Sequence, residues 1–163
     1  MKKLNNDVIL FLHNQGCVIV STVNQDGAIH NACKGIVEII PEGRVFLLDL
    51  YHGKTYAHLR TNPNISITAI DEHKFKGYCL QGKARVASVT EVEPRLIKSW
   101  EEKMTDRITQ RMLKNISGEK GHLRHPEARL PEPKYLIAID IENVIDLTPL
   151  HLTEPTINNE HIG

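Results

Sequence analysis

No apolar run in this chain approaches the roughly 20 residues that a membrane-spanning helix needs. The opening segment, Met1-Lys2-Lys3-Leu4-Asn5-Asn6-Asp7, also lacks the apolar stretch of a secretory signal, so a cytoplasmic location is expected. There is no excess charge of either sign: 20 Lys and Arg side chains offset 20 Asp and Glu. Without a long-range field to gather nucleic acid or an anionic membrane, any anion site must be local. Cysteine is scarce. Cys17, Cys33 and Cys79 are widely spaced and form no CxxC pair, which argues against a disulfide framework or a zinc ribbon and fits a reducing compartment. Repeats are absent too, and 163 residues suit one domain, a size at which roughly 70% of the unfolded surface is buried around one core.

What is present is a succession of β signals with two helical interludes. Asn5 to Asp7 offer capping side chains ahead of Val8, Ile9, Phe11 and Leu12, and Gly16 permits a stop, which predicts a short helix acting as a lid. Cys17 to Val23 is rich in β-branched residues, and the turn Asn24-Gln25-Asp26-Gly27 leads into a second strand from Ala28 to Ile40. Pro41-Glu42-Gly43 turns the chain into the apolar run Val45-Phe46-Leu47-Leu48. From Lys54 to Thr61 the spacing becomes helical, ending at Asn62-Pro63 because proline disfavours helix in the residue before it. Strands resume at Ile65 to Ile70 and at Tyr78 to Ser88, where Gly82 marks a bulge or bend. A longer helix from about 91 to 116 carries Leu96, Trp100, Met104, Ile108 and Met112 as a packing stripe. After a polar loop, Tyr135, Ile137, Ile139 and Ile141 alternate as one more strand. The expectation is a mainly β fold, a small six-stranded barrel with short helices and one longer added helix, spanning residues 1–149 as a single domain before a loose tail at 150–163.

The stretch Leu48-Asp49-Leu50-Tyr51-His52-Gly53-Lys54-Thr55 runs from a buried strand through a glycine into the first turn of a helix. Free N–H donors, a lysine charge and a threonine hydroxyl there suit a phosphate. It is not a Walker loop, because the upstream glycine of GxxxxGK[ST] is missing. Alone, a Gly-Lys-Thr tripeptide is better read as an exposed lysine beside an ordinary cap.

Context sharpens that choice. The order of elements, the run Gly53-Lys54-Thr55-Tyr56-Ala57-His58-Leu59-Arg60-Thr61-Asn62-Pro63 and the stretch Gly77-Tyr78-Cys79-Leu80-Gln81-Gly82 resemble the pyridoxamine-phosphate oxidase-like family of FMN-binding split barrels. The resemblance covers about Asn5 to Val89, with a last strand at Lys134 to Leu147. It implies a homodimer with one FMN in each groove at the interface. Lys54 and Thr55 would hold the phosphate, beside His52. Asn31, Ala32, Cys33 and Lys34 would run along the ribityl chain and ring edge, with Lys34 a second candidate for phosphate or a ring oxygen. Asp49, Leu50 and Tyr51 would form the opposing wall, and Gln81 a polar ring contact.

The sequence departs from the family in Ala28-Ile29-His30, where many relatives carry a proline, and in the long helix between Glu91 and Ile116. The oxidase proper is not implied, since its substrate-binding Arg and His have no counterpart in His151 to Gly163 and its arginine-rich phosphate segment is replaced by Lys54-Thr55. The resemblance implies an FMN-dependent oxidoreductase passing hydride or electrons to a small acceptor, with no catalytic side chain required. Alternatives on the same fold are a deazaflavin-dependent reductase, a flavin electron carrier without its own substrate, and a haem-binding protein. For the last, His122 with His125, and His151 with His161, are the histidines of note, although no metal site is expected because a third ligand is missing. Cys33 reads as a small buried hydrophobe.

Overall fold

The computed structural model describes residues 1–119 and 132–150. The expectations for His122 and His125, for His151 and His161 and for the tail therefore fall outside the described residues.

Asn5 caps the first helix as its side chain predicts: its Oδ1 accepts the Val8 N–H at 2.8 Å. That helix, α1 (Asn6–His13), drops Val8 and Leu12 into the main core and so closes one side of the barrel as a lid. Three strands follow, β1 (Val18–Val23), β2 (Ile29–Lys34) and β3 (Ile36–Ile40). The turn between β1 and β2 is held by Asn24, whose Oδ1 accepts the Ala28 N–H at 2.8 Å, with Gly27 at a φ of 83°. Next come β4 (Arg44–Asp49), the short α2 (Lys54–Leu59), β5 (Asn64–Asp71) and β6 (Lys76–Ser88). A single 3-10 turn at Val89–Glu91, the long α3 (Pro94–Ile116) and β7 (Tyr135–Asp146) complete the described chain.

The seven strands form one antiparallel sheet in the order β2-β1-β5-β6-β7-β4-β3. The count of six predicted from the sequence is corrected here, because the stretch from Ala28 to Ile40 is two strands broken at Gly35. The break sends the halves to opposite ends of the sheet: β2 pairs with β1 and β3 pairs with β4. The two edge strands are thus consecutive in sequence, which curls the sheet into a barrel left open at the seam. The seam is tight at Gly35. A Cβ on residue 35 would lie 3.2 Å from the Arg107 guanidinium.

The inner face is the main core, built around Val18, Val20, Val45, Leu47, Ile67, Leu80, Ile137, Ile139 and Ile141. The apolar run in β4 is explained by burial on both faces: Val45 and Leu47 point into the barrel, while Phe46 and Leu48 meet α3 through Leu96, Trp100 and Met104. The helical stripe packs only over its first half; Met112 is 60% and Ile116 83% exposed. At Gly82 the β6–β7 register shifts, the bulge expected from the sequence. A Cβ there would come within 2.1 Å of the Asp140 carbonyl oxygen. Among the described residues no helix is long and apolar enough to cross a membrane.

Candidate functional site

The C-terminal ends of β2 and β4 and the start of β7 meet at one end of the barrel, and with them meet two of the residues singled out from sequence. Alternation along β2 turns His30, Ala32 and Lys34 to one face and leaves Asn31 and Cys33 exposed on the other. Lys34 extends from the last position of β2 to Asp49, the last residue of β4, and its Nζ forms an ion pair with Oδ2. The two side chains are 9% and 11% exposed. Tyr135, which lies opposite Asp49 in the β4–β7 pairing, donates its hydroxyl to the same oxygen at 2.5 Å. The other oxygen, Oδ1, accepts the Leu50 N–H at 2.8 Å. A buried carboxylate thus has a cation, a phenol and an amide, the partners its desolvation demands. Burial first, and the Asp49 bond second, push the Tyr135 phenol far above its ordinary pKa.

Above this triad lies an aromatic group. The His52 ring stacks on Tyr135 with centroids 5.4 Å apart and tilts against Tyr56 at 4.3 Å, while Tyr56 meets Tyr135 edge-on at 4.9 Å. His52 is exposed, and Lys54 is exposed beside it at the start of α2. Farther along α2, the His58 Nδ1 is 3.2 Å from the buried Thr22 hydroxyl, and the His58 ring meets His30 at 5.8 Å. Partial burial, followed by the nearby charges of His58, Lys54 and Lys34, holds the His30 pKa below 6.5. Four cationic or ionisable bases therefore converge between β2 and α2, and among the described residues Lys34 alone of them has a carboxylate partner.

Not every expected residue joins them. Thr55 is 3% exposed, so its side chain seats the first turn of α2 in the barrel and presents little to a ligand. Tyr51 is 59% exposed, and the ring contacts above the triad are made by His52, Tyr56 and Tyr135. Cys33 is exposed rather than a buried hydrophobe; its neighbour Lys34 takes the inward position, and a strand cannot turn both inward. Gln81 pairs with Ser66 and Asn143 and lines a groove of about 360 Å³ with Ser21, Thr22 and Ile29. It lies about 20 Å along β6 from Ser88, the residue that pairs with Tyr135. Tyr135, Tyr56, His30 and His58 were not among the residues singled out. A buried tyrosine requires a partner for its hydroxyl, but nothing in the local sequence names Asp49, 86 positions away. Among the described residues no group of three or more His, Cys, Asp or Glu could hold a metal.

The family model described as pyridoxamine 5'-phosphate oxidase matches residues 7–147. Among solved structures the chain is similar to HupZ from Group A Streptococcus, with a TM-score of 0.60 at 18% identity over 89% of this chain and 94% of that one. It is similar to an FMN-binding protein from Syntrophomonas wolfei subsp. wolfei, with a TM-score of 0.60 at 16% identity over 88% and 84%. It is also similar to General Stress Protein 26 from Bacillus anthracis str. Sterne, with a TM-score of 0.54 at 15% identity over 87% and 92%. At these identities the likeness is one of fold. A search of curated proteins finds no match.

Proposed function

The chain belongs to the pyridoxamine 5'-phosphate oxidase family, and from that premise we propose that it binds FMN and passes hydride or electrons from a reduced donor to a small acceptor. The observation that carries the proposal is the gathering of Lys54, His30 and His58 beside the free edge of β2. These residues fit the cofactor. Lys54 and His30 supply charge and donors for a phosphate, and β2, which among the described residues pairs with β1 alone, keeps one row of backbone N–H and C=O groups for the polar edge of a ring. His52 and Tyr56 offer aromatic faces at the same place.

When bound, FMN supplies the hydride or electron transfer; the chain positions it and sets the charge around it. Lys54 neutralises phosphate, α2 and β2 fix its direction, and the Asp49–Tyr135–Lys34 triad holds the ends of three strands so that the wall of the groove does not yield. Thr55 serves by seating α2.

The proposal includes a homodimer with a flavin at each interface. Ile29 at 74%, Ile70 at 58% and Ile145 at 37% exposure leave apolar strand surface for a second copy to cover. A ring contact from Gln81, so far from the triad along β6, is one that the second copy supplies. The cytoplasm is the proposed location.

Reconstitution with FMN followed by an absorption spectrum and an NADH and NADPH oxidation screen tests the function. Flavin bands that remain with the protein through desalting, and turnover with either donor, are the expected results. A protein that retains no flavin at micromolar FMN, or that takes up deazaflavin or haem instead, overturns the FMN assignment.

A further inference from the structure

The sulfurs of Cys17 and Cys33 lie 2.9 Å apart. Both thiols are free and exposed. They meet because Cys17 is the residue immediately before β1 and Cys33 is the next-to-last residue of β2, on the strand that pairs with β1. In the register, Ile19 opposes Cys33 and Val18 opposes Lys34, so Cys17 lies diagonally across the end of the hairpin. The third thiol is remote. Cys33, Ile19, Thr68 and Cys79 form one row across four adjacent strands, which puts Cys79 about 14 Å from Cys33 at ~4.8 Å per strand.

We propose that Cys17 and Cys33 form a reversible intramolecular disulfide when the protein meets a small hydroperoxide. The inference does not depend on the flavin. Two thiols at this distance favour each other over a shared metal ion, which would hold two sulfurs roughly 3.8 Å apart with metal–sulfur bonds of ~2.3 Å. Little must move for the bond to close. Cys17 is outside the strand ladder, and it follows Gly16, around which a side chain would meet nothing within 4 Å.

A shallow recess of about 210 Å³ opens beside Cys17, lined by His13, Gly16, Ile36, Lys103 and Arg107 among others. It is large enough for a small peroxide. Lys103 and Arg107 give it a cationic rim, and the Arg107 guanidinium reaches the seam at Gly35, two residues after Cys33. Hydrogen bonding with Cys33, and then burial, push the Cys17 thiol up to about 11, against an opposing pull from Arg107. Cys17 therefore keeps its proton and suits the resolving step.

The chemistry balances in two steps. The Cys33 thiolate attacks one peroxide oxygen; an S–O bond forms, the O–O bond breaks, and the alcohol leaves with a proton. Cys17 then attacks the resulting sulfenic sulfur; the S–S bond forms, the S–O bond breaks, and water leaves carrying the Cys17 proton. The two thiols together lose two electrons and the peroxide gains them. A dithiol reductant reverses the change by exchange.

The test uses the full-length protein, reduced, desalted and exposed under native conditions to about one equivalent of hydrogen peroxide. Unreacted thiols are then alkylated in denaturant and the products mapped by mass spectrometry. The expected product has lost ~2 Da, carries a single alkyl group on Cys79 and yields a cross-linked peptide joining Cys17 to Cys33 within one chain. Dithiothreitol restores three alkylated thiols. In Cys17→Ser a sulfenic acid on Cys33 is trapped by a 1,3-dione, while Cys33→Ser gives no internal cross-link; thermal melts of both report whether they fold. Three alkylatable thiols after peroxide, a link to Cys79, or links only between chains overturns the proposal, and the wild-type map decides this even if a variant fails to fold.

Discussion

Lys34 and Asp49, the last residues of β2 and β4, form an ion pair that is about nine-tenths buried, and Tyr135 donates to the same carboxylate. The pair ties an edge strand to a central one across the open seam of the barrel. Breaking it from one side leaves an uncompensated charge in a dry place, which costs about 3–5 kcal/mol, whereas removing both charges costs far less. Lys34→Met is thus expected to lower the midpoint of chemical denaturation sharply, and Lys34→Met with Asp49→Leu to recover much of the loss. Tyr135→Phe should cost about 1–2 kcal/mol. A double-mutant cycle by urea titration checks all three, and additive losses would show that the contact is not energetically coupled.

Lys54 is exposed and is proposed to touch only the phosphate of FMN. Lys54→Ala should weaken FMN binding tens-fold, corresponding to about 1.5–3 kcal/mol for a charge-assisted contact, and leave riboflavin binding unchanged. Fluorescence titration with the two ligands makes the comparison, and equal weakening removes Lys54 from the phosphate site. Thr55→Val, at a 3% exposed position, should alter either affinity little.

His30 gives the site a pH dependence with a definite sign. In the free protein, burial and the neighbours His58, Lys54 and Lys34 hold its pKa below 6.5. A phosphate brought among these groups raises it, so binding takes up a proton and FMN affinity rises as pH falls toward 6.5. The gain ends near pH ~6, where the phosphate takes its own proton. Titrations across this range should show the rise for FMN, none for riboflavin, and a flatter curve for His30→Asn.

Much of this architecture was legible because local chemistry decided it. Asn5 as a cap, Gly27 in its turn, Gly82 at the bulge and the double-faced β4 all follow from residue type and spacing. The break at Gly35 did not, because a β-branched stretch with one glycine reads as continuous when nothing in sequence reveals that Arg107 will occupy the glycine's empty side. The site divided in the same way. Lys34, Asp49, His52 and Lys54 fall together, but the resemblance that named them could not show that Lys34 is matched by Asp49. Nor could local sequence pair Cys17 with Cys33, 16 positions apart on neighbouring strands.

The dimer is directly testable. Obligate interfaces commonly bury more than ~2,000 Å² and survive dilution, so light scattering at micromolar concentration should give twice the chain mass of 18.5 kDa. A folded, FMN-saturated monomer would defeat both the dimer and the partner-supplied contact from Gln81.

The pairing of Lys34 with Asp49 also changes what Lys34 can do to a flavin. A lone ammonium at the ring edge would stabilise the reduced, anionic cofactor, but a neutral pair exerts a much weaker field. Unmatched, a unit charge about 8 Å from the ring at an effective dielectric of ~20 is worth about 2 kcal/mol, or roughly 40 mV for a two-electron couple. Asp49→Asn, which frees the lysine's charge, should therefore raise the midpoint potential of bound FMN by tens of millivolts. Lys34→Met, which frees the carboxylate's, should lower it by a similar amount, and the double variant should return close to wild type. Spectroelectrochemical titration of the four proteins, each with FMN retained, provides the measurement. Potentials that do not move in either single variant would place the pair too far from the ring to act on it, leaving Lys34 and Asp49 as a clamp between strands and nothing more.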